Sequence, residues 1–252
     1  MWSTLFAYLA KLGARIMDFT LLGWGDAGWG DELARGALMT VVVAACSYFF
    51  GIIFGSVFAA AKLSRFLSLR LLGDAYTTVV RGVPELLVIF LVFFGGGTFL
   101  RYVANSMFGF EGYIELPIFA VGVLCISVSA GAYATEVIRA AVLAVPPGQI
   151  EAAKAIGMGP FLRLRRVLIP QAARFALPGL GNVWQFTLKD TSLISVVGLV
   201  EIMRTAAMGA GSTKEPFTFY TVAFVIFLLL SSLSNRGFFK AEKWANRGVR
   251  SH

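Results

Sequence analysis

The chain has 252 residues, of which 58% are hydrophobic and only 14% are charged, with a net charge of +8. A soluble domain carries about 25% charged and about 45–50% apolar residues, so this chain has too few charges to cover a globule of its length. The composition excludes an ordinary soluble enzyme, a disordered protein and a disulfide-built secreted domain. It leaves a polytopic membrane protein, whose apolar side chains meet lipid rather than water.

The N-terminal region, residues 1–32, is predicted to be an interfacial segment on the extracytoplasmic side. Charged residues from Lys11 onward interrupt the apolar run that a cleaved signal peptide would need. Tryptophan favours the membrane–water interface, and this region contains Trp2, Trp24 and Trp29.

Five apolar runs approach the length of about 17–25 residues that a membrane-spanning helix needs. They cover residues 37–61, 84–100, 116–135, 172–188 and 216–233. The sequence therefore predicts an all-α fold, a polytopic bundle of five spans within residues 33–235. The polar residues 189–192 interrupt the fourth run before a second apolar piece, 193–200. Two spans instead of one at this point would reverse the side of the C-terminus.

The basic residues predict the orientation of the chain. Fifteen of the 22 Lys and Arg residues lie in the segments 62–81, 136–174 and 236–252. Because Lys and Arg collect in cytoplasmic loops, these segments are predicted to be cytoplasmic, the last one as a C-terminal tail. The connectors near 101–115 and 201–215 are then outside. The positive charge also favours anionic lipid headgroups, and no nucleic-acid partner is predicted.

The sequence offers no set of residues for enzymatic catalysis or metal binding. The sole histidine is the last residue, His252, which removes histidine-based metal sites and Ser-His triads. Cys46 and Cys125 lie in apolar runs and are interpreted as small buried hydrophobic residues. An integral-membrane enzyme would need a nucleophile, an acid–base pair or a metal at one membrane depth, and neither Gly-x-Ser-x-Gly nor His-Glu-x-x-His occurs.

An adjacent pair of opposite charges, Lys189 and Asp190, interrupts the fourth apolar run. A charge at the bilayer centre costs about 2.5–3.5 kcal/mol on insertion scales. A local helix break, in which Thr191 and Ser192 satisfy freed backbone groups, would let both charges turn inward. These four residues are candidates for the lining of a polar translocation pathway at a discontinuous helix. A structural ion pair or a loop near the membrane surface is the alternative.

Glu85 is a further pathway candidate at the start of the second span. Pro84 suits the beginning of a helix, and a carboxylate in the first turn complements the helix dipole, so capping explains Glu85 equally well. Glu136 and Arg139, three residues apart at the end of the third span, are explained by a surface ion pair as well as by a site.

The segment 146–170 is too polar to span and is predicted to be a cytoplasmic helical hairpin. Its first helix covers residues 149–156 and ends at Gly157, and its second covers residues 161–168 and ends before Pro170. Small residues let a helix seat deeply in a groove of a partner protein.

This hairpin carries a family resemblance. Glu151-Ala152-Ala153-x-x-x-Gly157, then nine residues, then Val167-Leu168-Ile169-Pro170, resembles the "EAA" loop of ATP-binding-cassette importer permeases. Val167 and Ile169 depart mildly from the usual Ile-x-Leu-Pro ending. Four further elements are similar to those of the polar amino acid permeases, nearest to the histidine/lysine/arginine/ornithine and opine permeases: residues 35–40, 81–86, 176–182 and 189–193.

The resemblance covers about residues 33–247 and implies the fold and the partners. The fold would be that of a type I importer permease in the bacterial inner membrane. Two permease subunits, a heterodimer being favoured, would form the pore, two ATPase subunits would drive it, and an extracytoplasmic binding protein would deliver solute. Glu151, Ala152, Ala153 and Gly157 would form the coupling helix that docks on the ATPase.

The absence of a Gly-x-x-x-x-Gly-Lys-Ser/Thr phosphate loop agrees with this assignment, since ATP must then be bound by a partner chain and the permease needs no cofactor of its own. The expected function is ATP-driven import of a polar or cationic amino acid or an opine. A passive channel or a structural membrane subunit is the alternative, and neither would need an ATPase dock.

Overall fold

The computed structural model describes residues 18–25, 28–108, 112 and 116–247, and all regular structure in these ranges is helical. After a short 3-10 helix at Phe19–Leu22, the chain forms helices that we number α1 to α8. They are α1 (Gly30–Lys62), α2 (Leu67–Gly82), α3 (Glu85–Phe90, Leu91–Gly95 and Gly96–Phe108 in succession), α4 (Ile118–Leu143), α5 (Pro147–Ala155), α6 (Pro160–Val197), α7 (Ile202–Thr213) and α8 (Pro216–Ala245).

Four helices within these ranges, α1, α3, α4 and α8, are long and apolar enough to cross a membrane, and the bent pair α6–α7 makes a fifth if it is one span. This agrees with the predicted all-helical bundle of five spans. The helices extend past the predicted boundaries, however. Helix α1 begins inside the predicted N-terminal region, and α8 continues to Ala245, well into the predicted tail. The predicted interfacial role of residues 1–17 lies outside the described residues.

The centre of the fold is the close pair α1 and α4. Two glycines one turn apart on α1 face small residues of α4, and a Cβ built on Gly51 would lie 2.9 Å from the Ala130 Cβ. The corresponding distance from Gly55 to the Ala134 Cβ is 2.6 Å. Ser47 of α1 also donates a hydrogen bond to the Val123 carbonyl at 3.3 Å. Small residues therefore let the two backbones touch, as is typical of membrane helices.

We expect Gly55→Ala to destabilise the protein, although alanine favours a helix more than glycine does. The new methyl group would overlap Ala134 and push α1 and α4 apart, and overpacking of this kind costs about 1–3 kcal/mol. The measurement is the unfolding temperature of the detergent-purified protein. Gly95→Ala is the matched control, because a Cβ at Gly95 meets no atom within 4 Å. Equal unfolding temperatures for the two variants would contradict this view of the α1–α4 contact.

Helix α6 corrects two predictions about this part of the chain. The predicted second hairpin helix and the predicted fourth span are one continuous helix, Pro160–Val197. Pro170 does not end it, because a π-helical turn at Leu164–Leu168 precedes the proline, with the Ile169 N–H bonded to the Leu164 carbonyl. A π turn changes the register of the hydrogen bonds and so accommodates the missing N–H of the proline.

The predicted break at residues 189–192 is also absent. Helix α6 continues through Asp190 and tightens into a 3-10 helix at Thr191–Val197. The chain turns later, at Gly198, whose φ of +106° is a conformation that glycine adopts without strain. Helix α7 then leaves at an angle of 47° to α6. The sequence misplaced the bend because charge marks a polar site, whereas the left-handed glycine marks the turn.

Candidate functional site

Helix α5 is a short projection between two long helices. Pro147 occupies its first turn, and the Pro146 that precedes it is extended, as suits a helix start. The helix rests on the first turns of α6, where the side chains of Gln171 and Gln149 join through a 3.4 Å hydrogen bond. Of the helix itself, Ala153 is buried, with 4% of its surface exposed.

The end of α5 is built on Gly157, as the sequence predicts. The Gly157 N–H donates to the Lys154 carbonyl at 2.9 Å, and the Met158 N–H donates to the Ala153 carbonyl at 3.0 Å. This pair of bonds is the Schellman motif, which needs a residue of positive φ at the first position after the cap. Gly157 supplies a φ of +80°.

The outer surface of α5 is open to a partner. Glu151, Ala152 and Gly157 are exposed. Two large apolar side chains flank this surface, Ile156 and Phe161, each 73% exposed. A compact helix with two exposed charged residues, Glu151 and Lys154, small residues and an apolar rim has the chemistry of a docking element.

A pair of carboxyl groups forms the second candidate region, inside the helix bundle. Glu85, in the first turn of α3, lies close to Asp190 of α6 and to the Ser129 hydroxyl of α4. The Glu85 Oε1 atom is buried and has no hydrogen-bond partner among the described residues. No salt bridge in the described part of the chain includes either carboxyl group. The pair can therefore meet a group that donates hydrogen bonds or carries positive charge.

The other predicted pathway residues have different surroundings. Lys189 does not turn inward beside Asp190: it is exposed, with its Nζ atom 5.2 Å from the centre of the Phe186 ring. Adjacent residues of an unbroken helix point in different directions, so the two charges separate. Thr191 is buried and donates to the Leu188 carbonyl at 2.8 Å, and Ser192 donates to the Lys189 carbonyl at 2.7 Å. Both hydroxyls bond back to carbonyls of the preceding turn, and the break whose freed backbone groups they were predicted to satisfy is absent.

Two polar residues of the bundle, Ser129 and Glu201, were not predicted from the sequence to have a role. Ser129 resembles any helix serine that bonds back to its own backbone, and no signal in the sequence distinguishes it. Glu201 is fully buried and caps α7, accepting from the Arg204 N–H at 2.8 Å. The Thr40 hydroxyl of α1 donates to the Glu201 Oε2 atom at 3.5 Å and accepts from the Ile202 N–H at 3.3 Å. A carboxylate directly before a helix is a capping signal that the sequence did contain.

Known proteins similar to this chain are transport permeases. Residues 51–241 match the model of the family described as binding-protein-dependent transport system inner membrane component. The Nopaline transport system permease protein NocQ of Agrobacterium fabrum is 90% identical over 235 residues, covering 93% of this chain and all of that protein. The Octopine transport system permease protein OccQ of Rhizobium meliloti is 47% identical over 91% of this chain and 97% of that protein.

More distant relatives are similar in sequence, and two solved transporters are similar in structure. The Histidine/lysine/arginine/ornithine transport system permease protein HisQ of Escherichia coli is 37% identical over 88% of this chain and 97% of that protein. The crystal structure of an amino acid ABC transporter with histidines superimposes with a TM-score of 0.72 at 29% identity, over 85% of this chain and 94% of that chain. The MetNI methionine ABC transporter shares the fold alone, with a TM-score of 0.72 at 18% identity over 87% of this chain and 98% of that chain.

Members of this family are multi-pass permease components in the inner membrane, without catalytic activity of their own, and they work with an ATPase and a binding protein. The chain belongs to this family, as an ATP-binding-cassette importer permease of the branch that contains the nopaline, octopine and histidine/lysine/arginine/ornithine permeases.

Proposed function

We propose that this permease imports an opine or amino acid that carries a cationic group, and that the Glu85–Asp190 pair contacts this group during passage. The observation that carries the proposal is the buried Glu85 Oε1 atom without a hydrogen-bond partner among the described residues, next to a second carboxyl group. Two neighbouring carboxylates repel each other, and a cation between them relieves this repulsion. A guanidinium or ammonium group offers both the charge and the hydrogen bonds that such a pair accepts.

The names of the relatives support this substrate class. Histidine, lysine, arginine and ornithine, which appear together in the name of HisQ, all have side chains that can carry positive charge. The 90% identity with the nopaline permease favours nopaline as the first compound to test. Lys189, Thr191 and Ser192 remain proposed pathway residues that shape the surroundings of Asp190 rather than hold the solute.

In this proposal, α5 couples solute transport to ATP hydrolysis by the partner subunits. Glu151, Ala152, Ala153 and Gly157 form the surface on which an ATPase subunit docks, and the exposure of α5 supports this role. ATP is bound by the partner, and the permease contributes no cofactor. When the two ATPases close on ATP, they would draw the α5 helices of two permeases together, and the spans would open the proposed pathway to the other side. ATP must bind the closed state more tightly for this to happen.

The proposed assembly contains two permeases, two ATPases and one extracytoplasmic binding protein, with a heterodimer of permeases favoured. The distribution of Lys and Arg supports a cytoplasmic C-terminus and an extracytoplasmic N-terminus. In the proposed orientation, residues 1–32 form an extracytoplasmic segment and residues 236–252 form a cytoplasmic tail. Residues 33–235 form the permease domain, which includes the coupling loop 146–170.

The test is uptake by proteoliposomes that contain the complete transporter and its binding protein. We expect uptake only with ATP inside the vesicles, with nopaline, octopine, arginine, histidine, lysine and ornithine offered one at a time and a neutral amino acid as the control. Transport confined to cationic compounds supports the proposed pathway. Uptake that proceeds without ATP would indicate a passive channel, and equal uptake of the neutral amino acid would contradict the role of the carboxyl pair.

A further inference from the structure

Four charged residues form a cluster outside the two regions described above, where α1, α2 and α4 meet. Lys62, the last residue of α1, has its Nζ atom 2.9 Å from the Asp74 Oδ1 atom on α2, and it forms a closer ion pair with the Glu136 Oε1 atom on α4. The other Glu136 oxygen accepts from Arg139, with its Nη2 atom at 2.9 Å and its Nε atom at 3.0 Å. This ion cluster of two cations and two carboxylates joins three helices.

From the sequence, a surface pair within one helix and a site explained Glu136 and Arg139 equally well. That pair exists, but Glu136 also reaches across to another helix, which spacing along the chain cannot reveal. The Lys62 side chain is only 11% exposed, so its charge depends on these partners rather than on water.

The surroundings of Lys62 are complementary to an ammonium group. Its three protons have three acceptors: Asp74, Glu136 and the Thr77 hydroxyl, the last at 2.9 Å. The side-chain stem crosses α2 at Gly73, where a Cβ atom would lie 2.4 Å from the Lys62 Cγ atom. A glycine at this crossing lets α1 and α2 approach closely enough for the lysine to reach α4.

The place of the ion cluster in the chain relates it to the coupling helix. Glu136 lies two turns before the end of α4 at Leu143, and α5 begins directly afterwards at Pro147. A displacement of α5 therefore reaches the turns of α4 that carry Glu136 and Arg139 through the short link at residues 144–146, besides acting on the first turns of α6 on which α5 rests. The ion cluster then connects these turns with the end of α1 and the middle of α2.

We propose that Lys62 and Glu136 are positioning residues for transport, which make the ends of α1 and α2 move with the end of α4 when the ATPase displaces α5. This inference rests on the proposed docking of the ATPase on α5. Removing Lys62 leaves Glu136 paired with Arg139 of its own helix and abolishes both ion pairs that join α1 to α2 and α4, so the three helices lose their common position. A cluster that served stability alone would change the amount of folded protein but not the solute carried per ATP hydrolysed.

The experiment compares transport per ATP hydrolysed in proteoliposomes that contain the complete transporter. Lys62→Met keeps the apolar stem and removes the charge. We expect it to lower transport per ATP about tenfold, while the ATPase still co-purifies with the permease. Lys62→Arg restores the charge and should stay within about threefold of the unmodified protein. Arg35→Met is the matched control, because Arg35 of α1 is 79% exposed and its nearest contact with Asp31 is 3.6 Å.

Unchanged transport per ATP in Lys62→Met overturns the inference, and so does an equal loss in Lys62→Arg, because charge would then be irrelevant. If Lys62→Met yields no assembled transporter, Glu136→Gln takes its place, since it removes one charge and keeps the shape. Normal transport per ATP in Glu136→Gln overturns the inference, and a tenfold loss supports it. Failure of the docking proposal has a different signature: variants of α5 would retain full coupling with the ion cluster intact.

Discussion

Gly157→Val is expected to lower ATP-driven uptake about tenfold or more, within the range of coupling free energies of about 1–3 kcal/mol between distant sites. The residue has a φ of +80°, where a β-branched side chain is strongly disfavoured. The turn that ends α5 would have to change, and the exposed Ile156 and the start of α6 would move with it. A Cβ atom at this position meets nothing within 4 Å, so the effect arises from backbone conformation and not from a clash within the permease.

The measurement is the rate of solute uptake and the rate of ATP hydrolysis in the same preparation of reconstituted transporter. Hydrolysis should continue while uptake fails, because the ATPase remains active but no longer moves the permease. Gly159→Val is the matched control, because Gly159 is exposed, lies two residues away and is extended with a φ of −62°, and a Cβ atom built on it meets nothing within 4 Å. Gly157→Asn should retain most activity, since asparagine tolerates the left-handed region. Normal uptake by Gly157→Val would count against α5 as the coupling helix.

The sequence was sufficient for the fold class, the family and the helix end at Gly157. Long apolar runs have only one stable form in lipid, a helix, so the bundle follows from composition and run length. The Glu151–Gly157 signature is local, and its geometry depends on residues within one turn. For that reason the predicted end of α5 at Gly157 is confirmed atom by atom in the Schellman bonds.

The path of α6 shows where local reasoning fails. Pro170 and the Lys189–Asp190 pair both resemble helix ends, yet the helix passes through both. A π turn absorbs the proline, and Asp190 finds a neighbour in Glu85, which lies more than a hundred residues earlier. Contacts between residues so far apart in the chain cannot be predicted from the local sequence around either residue. The same holds for Ser129 and for the pairing of Lys62 with Glu136.

The carboxyl pair yields the second large expected effect. Glu85→Gln and Asp190→Asn should each reduce uptake of a cationic solute about 10–100-fold, the equivalent of a lost hydrogen bond to a charged group worth about 1.5–3 kcal/mol. Each change keeps the size of the side chain and removes one negative charge. The preference for cationic solutes over a neutral amino acid should also decrease, because only the cation loses a counter-charge.

The measurement is the initial rate of uptake at saturating binding protein, with the amount of assembled transporter determined in the same preparation. Glu242→Gln on α8 makes the same substitution far from α3 along the chain, at a half-buried glutamate that forms no salt bridge in the described part of the chain, and should leave the rate within about twofold. A double variant of Glu85 and Asp190 should lose little more than either single variant, since residues that hold one group together are not additive. Additive losses in the double variant would show that the two carboxyl groups act on different groups of the solute or at different steps. Unchanged uptake rates in both single variants would contradict a role of the pair in the pathway.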